Sequence, residues 1–368
     1  MKFDNNQQAF LALLKAGLWE KEVRLLAFEE IDYSKIYRLS EEQSVIGLVS
    51  AGLEHVVDKK LPKETTLNFI GATLQLEQKN STMNIFIGDM IEKMRSADIY
   101  ALIMKGQGIA QCYERPLWRA CGDIDLLLSG DNYQKGIDFF TPLASFVDKE
   151  NEVSKHIAIN IGPWEVELHG SLTTDLWVNL DKTLEEVRYS IFYGGNVRPW
   201  NNNRIQVFLP RSDEDVFYVF AHILQHFFKG GIGLRQLCDW CRLLWSYKGT
   251  IDLQLLEKRL KKAGVMSEWK AFASLAVNTL DMPAASMPFY SSSPKWKAKA
   301  NRILKSILKT GNFGHNRDMS YIESDPVLIR KIKTFRIIFS DFVCHSIIFP
   351  KDSLAVLKRS LIKGMVGR

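Results

Sequence analysis

Apolar side chains recur every three or four residues over long stretches of this chain, and that spacing predicts helices at both of its ends. Phe10, Leu13, Leu14 and Leu18 mark a helix over 5–30, and a second covers 41–57. Residues 64–95 read as one long amphipathic helix through Leu67, Ile70, Leu74, Leu76 and Met83. The period changes in the middle of the chain. Ile99–Met104 is an apolar run of strand length, followed by a short helical pattern over Ile109–Glu114. Lys155–Asn160 and Trp164–His169 alternate around Ile161-Gly162-Pro163, the pattern of a hairpin. Residues 130–146 read as a helix opened by an Asp or Asn cap, and 204–209, closed by Pro210, as a further strand or extended link. After Pro210 the run Ser212-Asp213-Glu214-Asp215 starts another helix, and helical spacing continues through 251–310. The expected class is α+β: a helical region over 1–95 packing behind a sheet, a sheet-bearing domain over 96–210, and a helical domain over 211–368.

The segment Ala120–Gly130, ACGDIDLLLSG, places Asp123 and Asp125 two apart at the head of an apolar run. On a strand both carboxylates leave one face, while Ile124 and Leu126 point to the other. Two like charges held so close call for a cation, and hard oxygen ligands on a rigid strand suit Mg²⁺ in phosphoryl or nucleotidyl transfer. In the second hairpin strand Glu165, Glu167 and His169 share a face opposite Val166 and Leu168, so a third carboxylate is available. Upstream, Lys105-Gly106-Gln107-Gly108 joins a strand to a helix start, where backbone N–H groups can approach an anion. It is neither a Walker A loop nor a dinucleotide-binding fingerprint.

Taken in order, Lys105-Gly106, Arg119, Gly122-Asp123-Ile124-Asp125-Leu126-Leu127, His156 and Val166-Glu167-Leu168-His169 resemble the polymerase-beta-like nucleotidyltransferase superfamily. Within it they resemble the bacterial family of uncharacterised nucleotidyltransferases. The resemblance spans residues 103–172 and implies a nucleotidyltransferase-fold mixed sheet with helices. It implies Asp123, Asp125 and Glu167 as catalytic metal ligands for Mg²⁺, with two ions allowed, and a nucleoside triphosphate as donor. It further implies a nucleotide-binding set of Lys105, Gly106, Gly108, Arg119, Gly122, His156 and His169. Glu167 is also a candidate general base, and the two histidines are candidates to orient a substrate or brace a metal ligand. The chain departs from the superfamily in one respect: the usual Gly-Ser or Gly-Gly pair just before the first aspartate is missing. Phosphate binding then falls to Lys105 and Arg119, the alternative for Arg119 being charge compensation of Asp123 or Asp125.

Two function classes follow: a Mg²⁺-dependent nucleotidyltransferase acting on an unidentified acceptor (small molecule, protein or RNA), or a catalytically inert binding module of the same fold. Composition narrows the partners. With 48 Lys and Arg against 42 Asp and Glu the net charge of +6 is modest, and no stacking motif supports a nucleic-acid partner. Residues 330–368 carry nine Lys or Arg against two Asp, the mark of a helical pair docked with its basic residues outward, peripheral membrane contact being the less favoured reading. Five cysteines without repeated spacing fit reduced thiols, and Cys238-Asp-Trp-Cys241 lies in an apolar helical stretch with no further metal ligands nearby. His222 and His226 lack the glutamate a zinc protease needs. The family resemblance implies that this helix and the one after it partner the catalytic domain, with His222, Arg235 and Asp239 lining the substrate side. The start MKFDNNQQAF lacks signal-peptide character and no apolar run reaches membrane-spanning length, so a cytoplasmic location is expected.

Overall fold

Asp4 opens the first helix with a capping box: its carboxylate accepts from the Gln7 backbone N–H, and its own N–H donates to the Gln7 side chain. Residues 3–152, 154–314, 316 and 326–366 are described by the computed structural model. Helix α1 (Asn5–Trp19) is shorter than the helix expected over 5–30, because Glu20 takes left-handed backbone at φ 48° and ends it. In place of one helix over 41–57 the chain forms α2 (Tyr33–Glu42) and α3 (Ile46–Glu54), broken where Ser44 has φ 54°.

Helix α4 (Lys63–Ser96) is 34 residues long and matches the expected span but not the expected face. Leu67, Ile70 and Leu74 are exposed, while Phe69, Thr73, Asn80, Met83, Ile87 and Met94 point inward. Polar contacts set that rotation. Thr73 hydrogen-bonds Ser50 of α3 at 2.7 Å, and the Asn80 amide donates to the carbonyls of Leu117 and Arg119 at 2.7 and 2.8 Å. Buried polar groups need such partners, so they outweigh the apolar pattern in choosing the inward face.

Five strands form one mixed sheet: β1 (Ala101–Met104), β2 (Ile124–Leu128), β3 (Phe146–Val147), β4 (His156–Ile161) and β5 (Trp164–His169), in the order β1-β2-β5-β4-β3. Strands β2 and β5 run parallel, and every other neighbouring pair is antiparallel. The turn after β1 enters a five-residue helix, α5 (Gly106–Ala110), and β2 leads into α6 (Gly130–Phe140), which ends before the predicted 146 because Phe146–Val147 joins the sheet edge. A separate hairpin pairs β6 (Val197–Asn202) with β7 (Ile205–Pro210). The apolar run at 204–209 anticipates β7; its partner β6, with Pro199 and two Asn, carries no such run. Helix α7 (Val178–Tyr193) fills a stretch left unassigned, although Leu180, Leu184, Val187 and Ile191 fall at helical spacing and are buried.

The C-terminal half is helical: α8 (Ser212–Lys229), α9 (Leu234–Ser246), α10 (Leu253–Ala263), α11 (Met266–Thr279), α12 (Pro294–Thr310), α13 (Val327–Ser346) and α14 (Pro350–Val366). Its core is continuous with that of α1 and α3 and with one face of the sheet, so the N-terminal helices share a core with the C-terminal ones as well as with the sheet. Trp19 Nε1 donates to the Leu280 carbonyl across 261 residues of sequence. Strands β1 and β2 are buried on both faces, while β3 is exposed and β4 and β5 are only half-buried on the face that carries His156 and Glu167. Leu102, Met104 and Leu127 join this helical core, while Ile124, Leu126, Leu128, Val166 and Leu168 form a second one with the later half of α4. Cys238 and Cys241 are buried in the helical core, where burial pushes both thiols up. Among the described residues no helix is long and apolar enough to cross a membrane.

The basic C-terminal pair docks through one end. Ile348, Phe349 and Val356 are buried, and Arg359 reaches Asp175 and Asp181 at 2.7 and 3.2 Å. Ile332, Phe335, Phe339 and Val343 stay exposed along α13, so it is not only the basic side that faces outward; residues 367 and 368 lie outside the described residues. Where α11 meets α14, Glu268 is buried with no donor on either carboxyl oxygen. Burial, then the neighbouring Asp352 carboxylate, push it up to about 9, with Lys299 of α12 opposing. A folded-state value above the unfolded one means stability is full at low pH and falls as pH rises toward 9. We expect Glu268→Gln to remove roughly 1 kcal/mol per pH unit of that decline above about pH 5, read as the difference in urea unfolding free energy between wild type and variant.

Candidate active site

Parallel pairing of β2 with β5 sets Asp125 directly opposite Glu167, and Asp123 precedes β2 by one position on the same face. Carboxylate oxygens of Asp123, Asp125 and Glu167 all lie within 4.8 Å of one another. Glu165 is not part of this cluster, since it sits opposite Asn160 nearer the hairpin turn. The sheet face bearing the acids is covered by α8 and α9, which leaves Asp125 buried and Asp123 half-buried.

Lys105 enters the cluster from the β1–α5 turn with φ 49° and ψ −140°, a region that non-glycine residues seldom occupy. Its Nζ lies 2.8 Å from Asp125 Oδ1 and 3.5 Å from His222 Nε2. Such backbone costs free energy for a residue with a Cβ, so the surrounding fold holds Lys105 on the acidic cluster against local strain. Gly106 continues the turn at φ 41°, and a Cβ there would lie 3.2 Å from Cys121 Sγ.

Two histidines close the other side. His169 Nε2 is 2.9 Å from Asp125 Oδ1 and 3.3 Å from Glu167 Oε2, and His156 Nε2 is 3.1 Å from the same Glu167 oxygen. Burial by itself would raise the Asp125 and Glu167 carboxyls. Lys105 and His169 hold Asp125 below the usual range, and the two imidazoles with Lys105 hold Glu167 well below it. Asp123 is raised instead, by burial and then the Asp125 charge, with Lys105 and Arg235 opposing more weakly. Burial works against the Lys105 charge, but Asp125 and its neighbours more than restore it, and the carboxylates likewise raise His169. His222 and His226, 2.9 Å apart between Nε2 atoms, are pushed down by burial and then by Lys105, His226 to about 4.

The remaining expected residues separate into those beside the acids and those committed elsewhere. Arg119 compensates neither Asp123 nor Asp125: it grips Asp239 through Nε at 3.0 Å and Nη2 at 2.6 Å, and Tyr113 donates its hydroxyl to the same carboxylate at 2.7 Å. Its Nη1 is buried without a partner. That guanidinium lines a cavity of about 40 Å³ with Lys105, Asp123, Asp125, His222 and Arg235. Gly108 packs closely on β7: a Cβ there would come within 2.8 Å of the Leu209 side chain. Gly122 is exposed, with open space where its Cβ would be. Tyr218 escaped the sequence reading. Its ring lies 5.9 Å from Lys105 Nζ, and its place one helical turn before His222 is the signal that could have found it.

Three carboxylates on rigid strands supply hard oxygen donors, which fits a divalent cation such as Mg²⁺. A mixed sheet carrying such a carboxylate set is the architecture of a nucleotidyltransferase-type protein. The model of the family described as "Uncharacterised nucleotidyltransferase" matches residues 29–281, and the chain belongs to that family. No curated protein matches the chain. Among solved structures, an antigenic nucleotidyltransferase-like protein from Paracoccidioides brasiliensis is similar at 15% identity and a TM-score of 0.34, over 59% of this chain and 94% of that one.

Proposed function

We propose that this protein transfers a nucleoside monophosphate from a nucleoside triphosphate to an acceptor, with Asp123, Asp125 and Glu167 holding Mg²⁺. The observation that carries this reading is the β2–β5 register, which brings the third carboxylate alongside the first two on one buried face. An acceptor hydroxyl gives its proton to water and its oxygen bonds the α-phosphorus, the bond to the bridging oxygen of the β-phosphate breaks, and pyrophosphate leaves. The bound ion supplies charge stabilisation for the attacking and leaving oxygens. Lys105 offers a point charge to phosphate oxygens, and Arg235, on the same cavity with Nη1 on the Ala120 carbonyl, offers a guanidinium that Asp239 does not hold. Glu167, kept ionised by two imidazoles, suits a ligand better than the general base also considered for it. The 40 Å³ cavity beneath the acids is too small for a nucleotide, so the triphosphate approaches from the open side, past exposed Gly122 and the one-third-exposed His156.

The burial of Gly106 and Gly108 in the five-residue α5 favours a second reading, an inert module that kept the acidic strand, because those two glycines do not present open backbone to a triphosphate. Calorimetric titration with each of the four NTPs as non-hydrolysable analogues, with and without Mg²⁺, separates the two. Saturable binding that requires Mg²⁺ is the result expected of the enzyme; no binding with any nucleotide would assign the chain to the inert class.

A further inference from the structure

We infer that His156, Glu167 and His169 form a second cation position, built for a transition metal that accepts imidazole, which shares Glu167 with the carboxylate set. His156 on β4 is the register partner of His169 on β5, and Glu167 lies two residues before His169 on the same face. Ala158, opposite Glu167, leaves the space between the imidazoles and the carboxylate free of a larger side chain. Three donor atoms from two paired strands therefore converge without any loop in the arrangement, and all lie within 4.8 Å of one another.

The spacing fits a metal. A tetrahedral ion with bonds of about 2.0–2.1 Å has ligand-to-ligand edges of about 3.3 Å. The two edges to Glu167 Oε2 are 3.1 Å from His156 Nε2 and 3.3 Å from His169 Nε2. Two imidazoles and a carboxylate prefer Zn²⁺, Co²⁺ or Mn²⁺ over Mg²⁺, which demands oxygen donors and keeps its waters. Because the His156 side chain is 34% exposed, a fourth position stays open on the side from which a substrate would approach. The competing explanation is a proton: an imidazolium at His169 could tie Asp125 and Glu167 together without metal. This inference goes beyond nucleotide transfer, which can fail while the β4–β5 site stands.

The test titrates metal-depleted full-length protein with Co²⁺ in excess Mg²⁺ and reads the visible absorption of the bound ion. We expect one equivalent to bind, to resist Mg²⁺, to survive Asp123→Asn, and to weaken at least about tenfold in His156→Ala and in His169→Ala. No Mg²⁺-resistant band in wild type, or a band unchanged in both histidine variants, overturns the proposal. Should a variant not fold, nitrogen-15 spectra of wild-type imidazoles decide: Zn²⁺ must shift both Nε2 resonances together, and spectra that respond to pH but not to Zn²⁺ identify the proton-linked pair instead. The Mg²⁺-dependent NTP titration reports separately on the transferase reading, because it depends on Asp123 and this site does not.

Discussion

Asp125→Asn is expected to weaken Mg²⁺-dependent NTP binding by 2–5 kcal/mol, roughly 30- to 5,000-fold, the range for losing a buried charge from a paired site. Asp125 touches both Lys105 and His169 and is only 2% exposed, so its neutralisation removes a ligand and leaves a lysine short of its counter-charge. Stability should fall as well. Asp123→Asn offers the informative contrast, because Asp123 is raised by burial and by the neighbouring Asp125 charge. Removing its charge should leave the folded state as stable as wild type or slightly more so, while nucleotide affinity still drops. Calorimetry with a non-hydrolysable analogue, paired with urea unfolding of both variants, checks this; full NTP affinity in both would remove the carboxylates from the site.

The second large effect is structural. Asp239→Ala should cost about 3–5 kcal/mol of folding stability, since it strips a buried guanidinium of its partner. Arg119 and Asp239 are 5% and 4% exposed, joined by two hydrogen bonds, with Tyr113 adding a third to the carboxylate. The double variant Arg119→Met/Asp239→Leu should recover most of that loss, because apolar side chains of similar volume avoid the desolvation that the pair offsets. A double variant no more stable than Asp239→Ala would show that the pair contributes through Tyr113 or through cavity shape instead.

This ion pair also shows how far the sequence reading reaches. Arg119 was weighed as a phosphate ligand or a partner of Asp123 or Asp125, and nothing in its neighbourhood along the chain points to Asp239, 120 positions later. The same limit explains α4, where Leu67, Ile70 and Leu74 follow helical spacing yet face solvent. Its rotation is set by Thr73 on Ser50 and by Asn80 on the 117–119 carbonyls, and those partners are invisible to a periodicity. The close approach of Leu209 to Gly108, 101 positions apart, is likewise outside any local pattern. Helix α7 is a different case, because its signal was present and left unread.

What the sequence determined by itself is local. Strand alternation placed Asp123 with Asp125 and Glu167 with His169 on common faces, helical spacing gave most helices of the α+β class, and the ordered motifs pointed to the family that the chain belongs to. Side-chain direction within an element follows from backbone geometry over a few residues, so it can be read without knowing the fold. The tertiary structure decided everything that depends on which elements meet. It set Glu167 opposite Asp125 through the β2–β5 register, set Lys105 on Asp125, assigned Arg119 to Asp239, and joined the N-terminal helices to the C-terminal core. Such contacts are settled by burial and by the pairing of buried polar groups across distant segments, and no window along the chain contains both partners.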